Sequence, residues 1–539
     1  MKYLHTSRGD SWGAKRTERL NEGKTVVSFY PMVWVGMEDK GLCLFTETRR
    51  TWTASAKEAF IITKQGDKAE ILVQIAKGLK AGASFEFEFG FVATPVKPLP
   101  ADYPMNIFGD RFCMLMRRPG HAPVDAVAIC YTRATLGGIY FDMDWCKYGE
   151  DNLRQSFNDV RKAEVRGVPY ICGRYLTEEY PEAAAFADEW KTLPEHTLDY
   201  KHDGRQFVMY DACPASHANA YIHLKLREIL KKIPFDGFYY DFGTVGFCSN
   251  KNHGCDECYP ILAQREFYRR TALVTYQSGI KEPLIVLHNT DSVQVPAMTF
   301  VSHLFNGEHI RQHSSNLMHD GKDILDTYGL PMFASELSSL PFGITNSVYQ
   351  ANDVLLPQFG GGKEDPELYK FRITQAFLAG CLPHNTIVAQ SRCHYGIIEK
   401  VVRAYEKFGV PKARFIGYWD EPAKVAGADD IYVSVYRHPT SKKALAVISH
   451  IGKEHQCRDV SIAFDQSKLG FVPGRAVDVM QAEDPDYMEL YEIQKKNNVP
   501  RVRAPLDLGD FGSQVESIHD GTLKIKLRWH TFAIVELTP

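Results

Sequence analysis

The sequence predicts a three-part α/β protein: a (β/α)8 TIM-type barrel flanked by an N-terminal β-sandwich region and a C-terminal antiparallel β-sandwich. Three observations carry the prediction. Apolar residues recur with a period of two over 25–93, short apolar runs alternate with longer amphipathic ones over about 105–410, and the period of two returns from about 428. The implied boundaries are 1–100, 101–415 and 416–539.

In the first part the runs TVVSFY, MVWV, GLCLF and AEILVQI are separated by Gly, Asp and Lys, the punctuation of short strands. In SFEFEFGFV, Phe85, Phe87, Phe89 and Phe91 alternate with Glu86, Glu88 and Gly90. This predicts a half-buried antiparallel strand with its rings on one face. TPVKPLP (94–100) holds three prolines in seven residues and reads as a linker leaving the sheet.

The middle part places strands at AVAIC (126–130), VPYICGRY (168–175), QFVMYD (206–211), FDGFYYDF (235–242), LIVLHN (284–289), FVSHLF (300–305) and PMFASE (331–336). The stretch 372–388 supplies either a helix or the eighth strand. Helices are expected near 151–166, 181–191, 217–233, 260–275 and 395–408. Over 217–233, Ile222, Leu226, Ile229, Leu230 and Ile233 share one helical face. Such alternation implies parallel βαβ units, and strands this apolar suit a closed barrel better than an open sheet. The last part, with DIYVSVY, ALAVISHI, DVSIAF and LKIKLRWHTFAIVEL, reads as a β-sandwich.

Composition narrows the function classes. In 539 residues, 63 Lys+Arg against 66 Asp+Glu leave a net charge of −3, without the basic footprint of a nucleic-acid binder. With 44% hydrophobic and 24% charged residues the chain is ordinary globular protein, not a disordered one. No apolar run is long enough for a membrane span, and MKYLHTSRGD has no signal-peptide core, so a cytoplasmic location is the expectation unless a signal has been removed. Oligomeric state is left open. The aromatic excess of 31 Phe, 27 Tyr and 7 Trp implies a large core or a face that stacks on sugar rings. Cysteines such as Cys43 and Cys172 lie in apolar runs and read as buried hydrophobes.

In a parallel barrel the working residues sit at the C-terminal strand ends. FDGFYYDFG ends at Asp241, a carboxylate on a rigid tip among aromatic rings, suited to nucleophilic or base work. FVSHLFNGEH leads to Glu308, two strands further on. Two carboxylates across one mouth are what glycosidic hydrolysis needs. Glu336, ending PMFASE, is the substitute for Glu308. His288, Asn289, Asp291, Asp211 and Arg174 are candidate partners for sugar hydroxyls, and Tyr240, Trp145 and Trp419 candidate stacking platforms. No cofactor is required by this chemistry. CSNKNHGCDEC gathers Cys248, His253, Cys255 and Cys258 in eleven residues. These are zinc-type ligands, and the alternatives are a disulfide or free thiols. Walker A, GxGxxG, HExxH and GxSxG motifs are absent, against nucleotide-dependent, zincin and α/β-hydrolase chemistry.

MVWVGMEDKGLCLFTETRRTW (32–52), FGFVATPVKPLP (89–100) and CSNKNHGC (248–255) together resemble a large bacterial family of glycoside hydrolase-like proteins related in architecture to glycoside hydrolase family 123. The resemblance implies a β-sandwich, a (β/α)8 barrel, a C-terminal β domain and hydrolysis of glycosidic bonds. Family 123 proper uses an adjacent Asp-Glu pair with substrate assistance. Here Asp256-Glu257 lies inside the Cys/His loop, away from a strand end, so that mechanism is not carried over. Asp241 and Glu308 look more like the carboxylates of retaining α-galactosidase-type barrels. The leading expectation is a glycosidase acting on an oligo- or polysaccharide. A non-catalytic carbohydrate-binding protein and a zinc-dependent glycosidase using the Cys/His loop are the alternatives.

Overall fold

The computed structural model describes residues 1–7, 17–101, 103–104, 108–109, 127–130, 149–162, 166–202, 205–288, 293–307, 324–348, 366–386, 394–483 and 511–539, with isolated positions between 485 and 496. The chain divides into two compact units, one of residues 1–98, 127–306 and 340–345, the other of 99–126, 307–339 and 346–539. No helix among the described residues is long and apolar enough to cross a membrane.

The first unit begins with two antiparallel sheets. One has the strand order Thr17–Arg19, Tyr3–Ser7, Met32–Gly36, Gly41–Phe45, Gly90–Thr94, and the other is formed by Gly23–Val27, Phe60–Gln65 and Lys68–Val73. Leu4, Val33 and Val35 of the first share a core with Val27, Phe60 and Ile62 of the second, which makes a sandwich. Trp34 organises its edge. Gly36 and Gly41 face one another across the strand pair, and the indole lies in the slot they leave. A Cβ at Gly36 would come within 2.1 Å of the ring, and one at Gly41 within 2.5 Å. The indole N–H donates to Thr94 Oγ1 at 3.0 Å, and the ring is 1% exposed. A strand interior tolerates glycine where a bulky group passes close to the backbone, and this pair shows why the WVG…G spacing exists.

The predicted Phe strand departs from expectation. Regular pairing starts only at Gly90. Phe85, Phe87, Phe89 and Phe91 do share one face, with successive ring centroids 5.7, 5.5 and 5.1 Å apart, yet each ring is exposed rather than half-buried in a core. Period two sets which side chains align. It does not supply a layer to cover them.

Five parallel strands follow in the same unit, in the spatial order His303–Asn306, Leu284–His288, Gly237–Asp241, Arg166–Cys172, Val127–Cys130. Gly237–Asp241 and Leu284–His288 are buried up to their partly exposed last residues, His303–Asn306 is buried throughout, and Arg166–Cys172 is buried except at Arg166 and Tyr170. Burial on both faces explains their continuous apolar runs. Helices Ala218–Lys232 and Ile261–Gln277 accompany them, and the predicted apolar stripe Ile222, Leu226, Ile229, Leu230 is buried.

Two of the expected barrel strands are something else. Arg205–Asp211 pairs antiparallel with Tyr175–Thr177 and Thr197–His202 in a separate three-stranded sheet. A strand flanked by a short reverse connection can pair with its neighbour directly, and the apolar run alone does not distinguish the two settings. Met332–Glu336, in the second unit, is one turn of π-helix, not a strand. Of the stretch left open at 372–388, the described residues 372–386 belong to the helix Pro366–Cys381 and a following turn, and 387–388 lie outside the described residues. A complete eight-stranded barrel is therefore not seen among the described residues.

The second unit carries the predicted C-terminal sandwich. Arg414–Ile416, Ile431–Arg437, Ala444–His450, Thr531–Thr538 and Arg475–Asp478 form one antiparallel sheet; Ala423–Ala426, Arg458–Phe464, Thr522–Leu527 and Ser513–His519 form the other. Val433, Ala446 and Val535 meet Val460, Ile462 and Ile525 between them.

Gly41→Ala is expected to lower stability by about 1–3 kcal/mol, the usual cost of forcing extra volume into a filled site. Urea unfolding followed by Trp fluorescence checks this; an unchanged midpoint would mean that the indole does not depend on that slot.

Candidate active site at the ends of the parallel strands

Side chains of a strand alternate between faces, so Tyr239 and Asp241 project to one side of the sheet and Phe238 and Tyr240 to the other. Tyr240 is fully buried against helix Ile261–Gln277, 5.4 Å ring to ring from Phe267 and hydrogen-bonded to Thr271 Oγ1 at 2.8 Å. It is a core residue and no sugar platform. The other face carries the chemistry. Tyr170, in register with Tyr239, stacks on it at 5.0 Å. His288 lies 5.0 Å from the Phe305 ring and 6.2 Å from that of Tyr239.

Asp241 sits at the tip of this aromatic wall. Its Oδ1 is 3.1 Å from His288 Nδ1, the two side chains being 18% and 11% exposed. The Tyr170 hydroxyl donates to Oδ2, and the Phe242 amide donates to Oδ1 at 3.0 Å. Phe242 has φ +54°, a left-handed conformation that a bulky residue rarely adopts. That turn points the amide back at the carboxylate. Burial by itself pushes the Asp241 pKa up, but the His288 imidazole, the Tyr170 hydroxyl and the Phe242 N–H outweigh it and hold the carboxyl below its ordinary range. Asp241 is thus ionised at neutral pH and accepts three bonds that fix its direction.

Arg174 and Asp211 pair with one another. Arg174 Nε donates to Asp211 Oδ1 at 2.8 Å, and a second guanidinium N–H donates to Oδ2. A third reaches Thr244 Oγ1 at 3.2 Å, on the loop that follows Asp241. Asp211 is 3% exposed, so this bidentate pair acts first as a brace on that loop. Gly246 approaches it so closely that a Cβ would lie 2.8 Å from the guanidinium. Tyr175 of the small antiparallel sheet stands edge-on to Phe242 at 5.4 Å. The sheet that was expected to be the third barrel strand instead walls the Asp241 tip.

Glu308, Asn289, Asp291 and Trp145 lie outside the described residues. His303–Asn306 is nonetheless two strands from Gly237–Asp241, and Glu308 follows it by two residues. Glu336 belongs to the second unit and ends the π-helical turn, 2% exposed, with its carbonyl accepting from Asn346 Nδ2 at 2.9 Å. Trp419, also in that unit, packs against Phe415 at 5.9 Å and Tyr418 at 5.1 Å. Asp256 pairs on the surface with Arg50 and Lys251. Sequence reasoning missed Tyr170, Tyr239 and Phe305. The alternation rule could have found Tyr239, since it is two residues from Asp241 on the same strand.

The Cys/His loop forms a compact cluster with one substitution in the expected membership. Ligand atoms of Cys213, Cys248, His253 and Cys255 lie within 4.8 Å of one another. Cys258 is outside that set. It pairs through its backbone with Cys248, at N–O distances of 2.8 and 2.9 Å, and closes the loop. Cys213 arrives from the segment just beyond Asp211, too far in sequence for a local motif to reveal. The eight described cysteines form no disulfide. Cys43 and Cys172 are buried as expected, and burial pushes both thiols up to about 12.

No family model matches the chain, and no curated protein is significantly similar to it. Solved structures do match. A maltogenic alpha-amylase, AmyB, from Thermotoga neapolitana is 10% identical, with 81% of this chain and 100% of that one covered at a TM-score of 0.46. An Anoxybacillus alpha-amylase is 10% identical, with 77% and 86% covered at 0.45. The GH36 alpha-galactosidase AgaA from Geobacillus stearothermophilus, in complex with 1-deoxygalactonojirimycin, is 8% identical, with 86% and 68% covered at 0.44. Likeness at this level assigns no activity to the chain.

Because the folded-state value of Asp241 is depressed, its interactions stabilise the protein above the unfolded carboxylate value of about 3.9 and lose that effect as pH falls through the folded value. Tyr170→Phe is expected to cost about 1.5–3 kcal/mol at pH 7, as for a hydrogen bond to a charged group, and less once pH falls through the depressed folded value. Urea midpoints of the variant and parent across pH 2.5–7 measure the difference; a pH-independent gap would show that Tyr170 does not bond an ionised carboxylate.

Proposed function

We propose that the protein is a glycoside hydrolase cleaving a glycosidic bond in an oligo- or polysaccharide, with Asp241 as nucleophile or base and Glu308 as acid/base. The observation that carries the reading is the ionised Asp241 carboxylate, aimed by Tyr170, His288 and the Phe242 amide at the end of a parallel strand. A nucleophile in glycosidic cleavage must be charged, rigid and facing the anomeric carbon, and these bonds supply the first two properties. The five parallel strands belong in this reading to a (β/α)8 barrel, whose reactive residues gather at the C-terminal strand ends.

Neighbouring strands are about 4.8 Å apart, so strand tips two apart are separated by about 10 Å. A separation of about 5–5.5 Å gives retention of configuration and about 6.5–9.5 Å inversion. Asn289 and Asp291, just beyond His288, would bond sugar hydroxyls, and Trp145 would stack on a ring face. The near-neutral charge favours an uncharged glycan over an anionic one.

A carbohydrate-binding protein without catalysis is the second reading, for which Tyr170 is the one partly exposed ring of the aromatic wall, Tyr239 and Phe305 being buried. The two separate cleanly. Against chromogenic glycosides of both anomers, Asp241→Asn is expected to cut turnover by at least about 10²–10⁴-fold, the range of a lost acid–base group, with the fold retained although the unfolding midpoint falls. Glu308→Gln is expected to lose activity mainly on substrates with poor leaving groups. Absence of turnover by the parent protein on either anomer, with glycan binding retained, would favour the binding reading.

A further inference from the structure

Cys213, Cys248, His253 and Cys255 take no part in the proposed glycosidase chemistry, and their arrangement asks for an occupant. Their ligand atoms lie within 4.8 Å of one another. Cys213 Sγ and Cys255 Sγ are 3.8 Å apart, and Cys248 Sγ is 3.3 Å from His253 Nε2. A disulfide needs sulfurs about 2.05 Å apart, so the thiols are not poised as a bonded pair. Tetrahedral zinc with S at about 2.3 Å and N at about 2.0–2.1 Å puts its ligands about 3.5–3.8 Å from one another. The observed separations bracket that value.

The surroundings also suit an ion. Cys213, Cys248 and Cys255 are 1%, 0% and 3% exposed. His253 Nδ1 bonds the Glu189 carbonyl, which requires the proton on Nδ1 and leaves the Nε2 lone pair facing the sulfurs. Metal-binding histidines are oriented by such an outer contact. The Asn250 amide approaches Cys248 Sγ at 3.5 Å, a donor toward a thiolate. Asn250 itself is tied to the Asp188 and Lys191 carbonyls at 2.9 and 2.7 Å, and Gly254 takes φ +82° to turn the chain between His253 and Cys255. Four thiol-and-imidazole groups merely buried as hydrophobes would not need this oriented imidazole.

We infer that Cys213, Cys248, His253 and Cys255 bind one zinc ion in a closed, four-coordinate structural site. Three thiolates and a neutral imidazole fill every position, leaving none for water or substrate, so the ion is structural and not catalytic. Binding releases the three thiol protons to solvent. The ion would tie the segment after Asp211 to the loop after Asp241, holding both flanks of the Asp241 tip. The inference stands independently of the glycosidase reading.

The test uses the full chain purified without chelator, with metal content measured by elemental analysis and the cobalt-substituted protein examined by absorption. About one zinc per chain is expected, together with intense tetrahedral cobalt bands and thiolate-to-cobalt charge transfer. Three thiols should become reactive on chelation. Cys213→Ala should lower retained zinc by about tenfold or more, whereas Cys258→Ser should leave it unchanged. If Cys213→Ala fails to fold, the cobalt spectrum and the thiol count of the parent protein decide. Absence of zinc after exposure to the ion, a Cys213–Cys255 disulfide, or loss of metal from Cys258→Ser alone would each overturn the assignment.

Discussion

A carboxylate surrounded by aromatic rings is costly, and the strand end at Asp241 is arranged around that cost. An ionised carboxyl taken from water loses several kcal/mol unless its oxygens are satisfied. Asp241 receives one bond from the preceding parallel strand through Tyr170, one from the following strand through His288, and one from its own chain through the Phe242 amide. Each donor comes from a different place, so the carboxylate is stable only when the three strands are in register. Cys172 opposite Asp241 and Tyr240 opposite Leu287 set that register. The left-handed Phe242 is the local strain that completes the set, and such strain persists where surrounding structure over-determines it.

The loops beyond the tips are braced in the same manner. Arg174 binds Asp211 with two N–H groups and Thr244 with a third, joining the small antiparallel sheet to the loop that leaves Asp241. Such a buried pair adds little net stability against an apolar replacement, but removing one partner strands a charge and is severe. Its geometry therefore confers position more than energy. Tyr175, Met209 and Leu198 of the same sheet pack with Phe242 and Cys172, so the residue in the strained conformation is also held by apolar contact. In the proposed glycosidase reading this is pre-organisation: Asp241 does not have to be aligned when substrate arrives.

Much of this was legible in the sequence, for identifiable reasons. Apolar runs buried in the sheet, as at Gly237–Tyr240 and Leu284–Leu287, announced the parallel strands, and the carboxylate at the end of one of them announced Asp241. The helix 217–233 was legible because its stripe is five residues deep on one face. QFVMYD was not, since an apolar run does not say whether its neighbour is the next parallel strand or the preceding hairpin arm. PMFASE failed for a related reason: six residues are too few to separate a strand from a helical turn. The proposed ligand set was legible only where it was local. Cys248, His253 and Cys255 stand within one loop, while Cys213 joins them through folding.

The exposed Phe85–Phe91 ladder shows where patterning stops. Four rings on one side and glutamates on the other is the same signal as a strand lying over a core, and the rings do line up. Alignment follows from the backbone alone, because alternate side chains of any extended segment fall on one side. Burial requires a second layer, which a local window does not encode. The same distinction separates Tyr240 from Tyr239. Both are aromatic neighbours of Asp241 in sequence, and only the face decides that one packs on a helix while the other lines the carboxylate. For a site built on strand ends, counting residues back from the reactive group by twos is therefore more informative than counting aromatics near it.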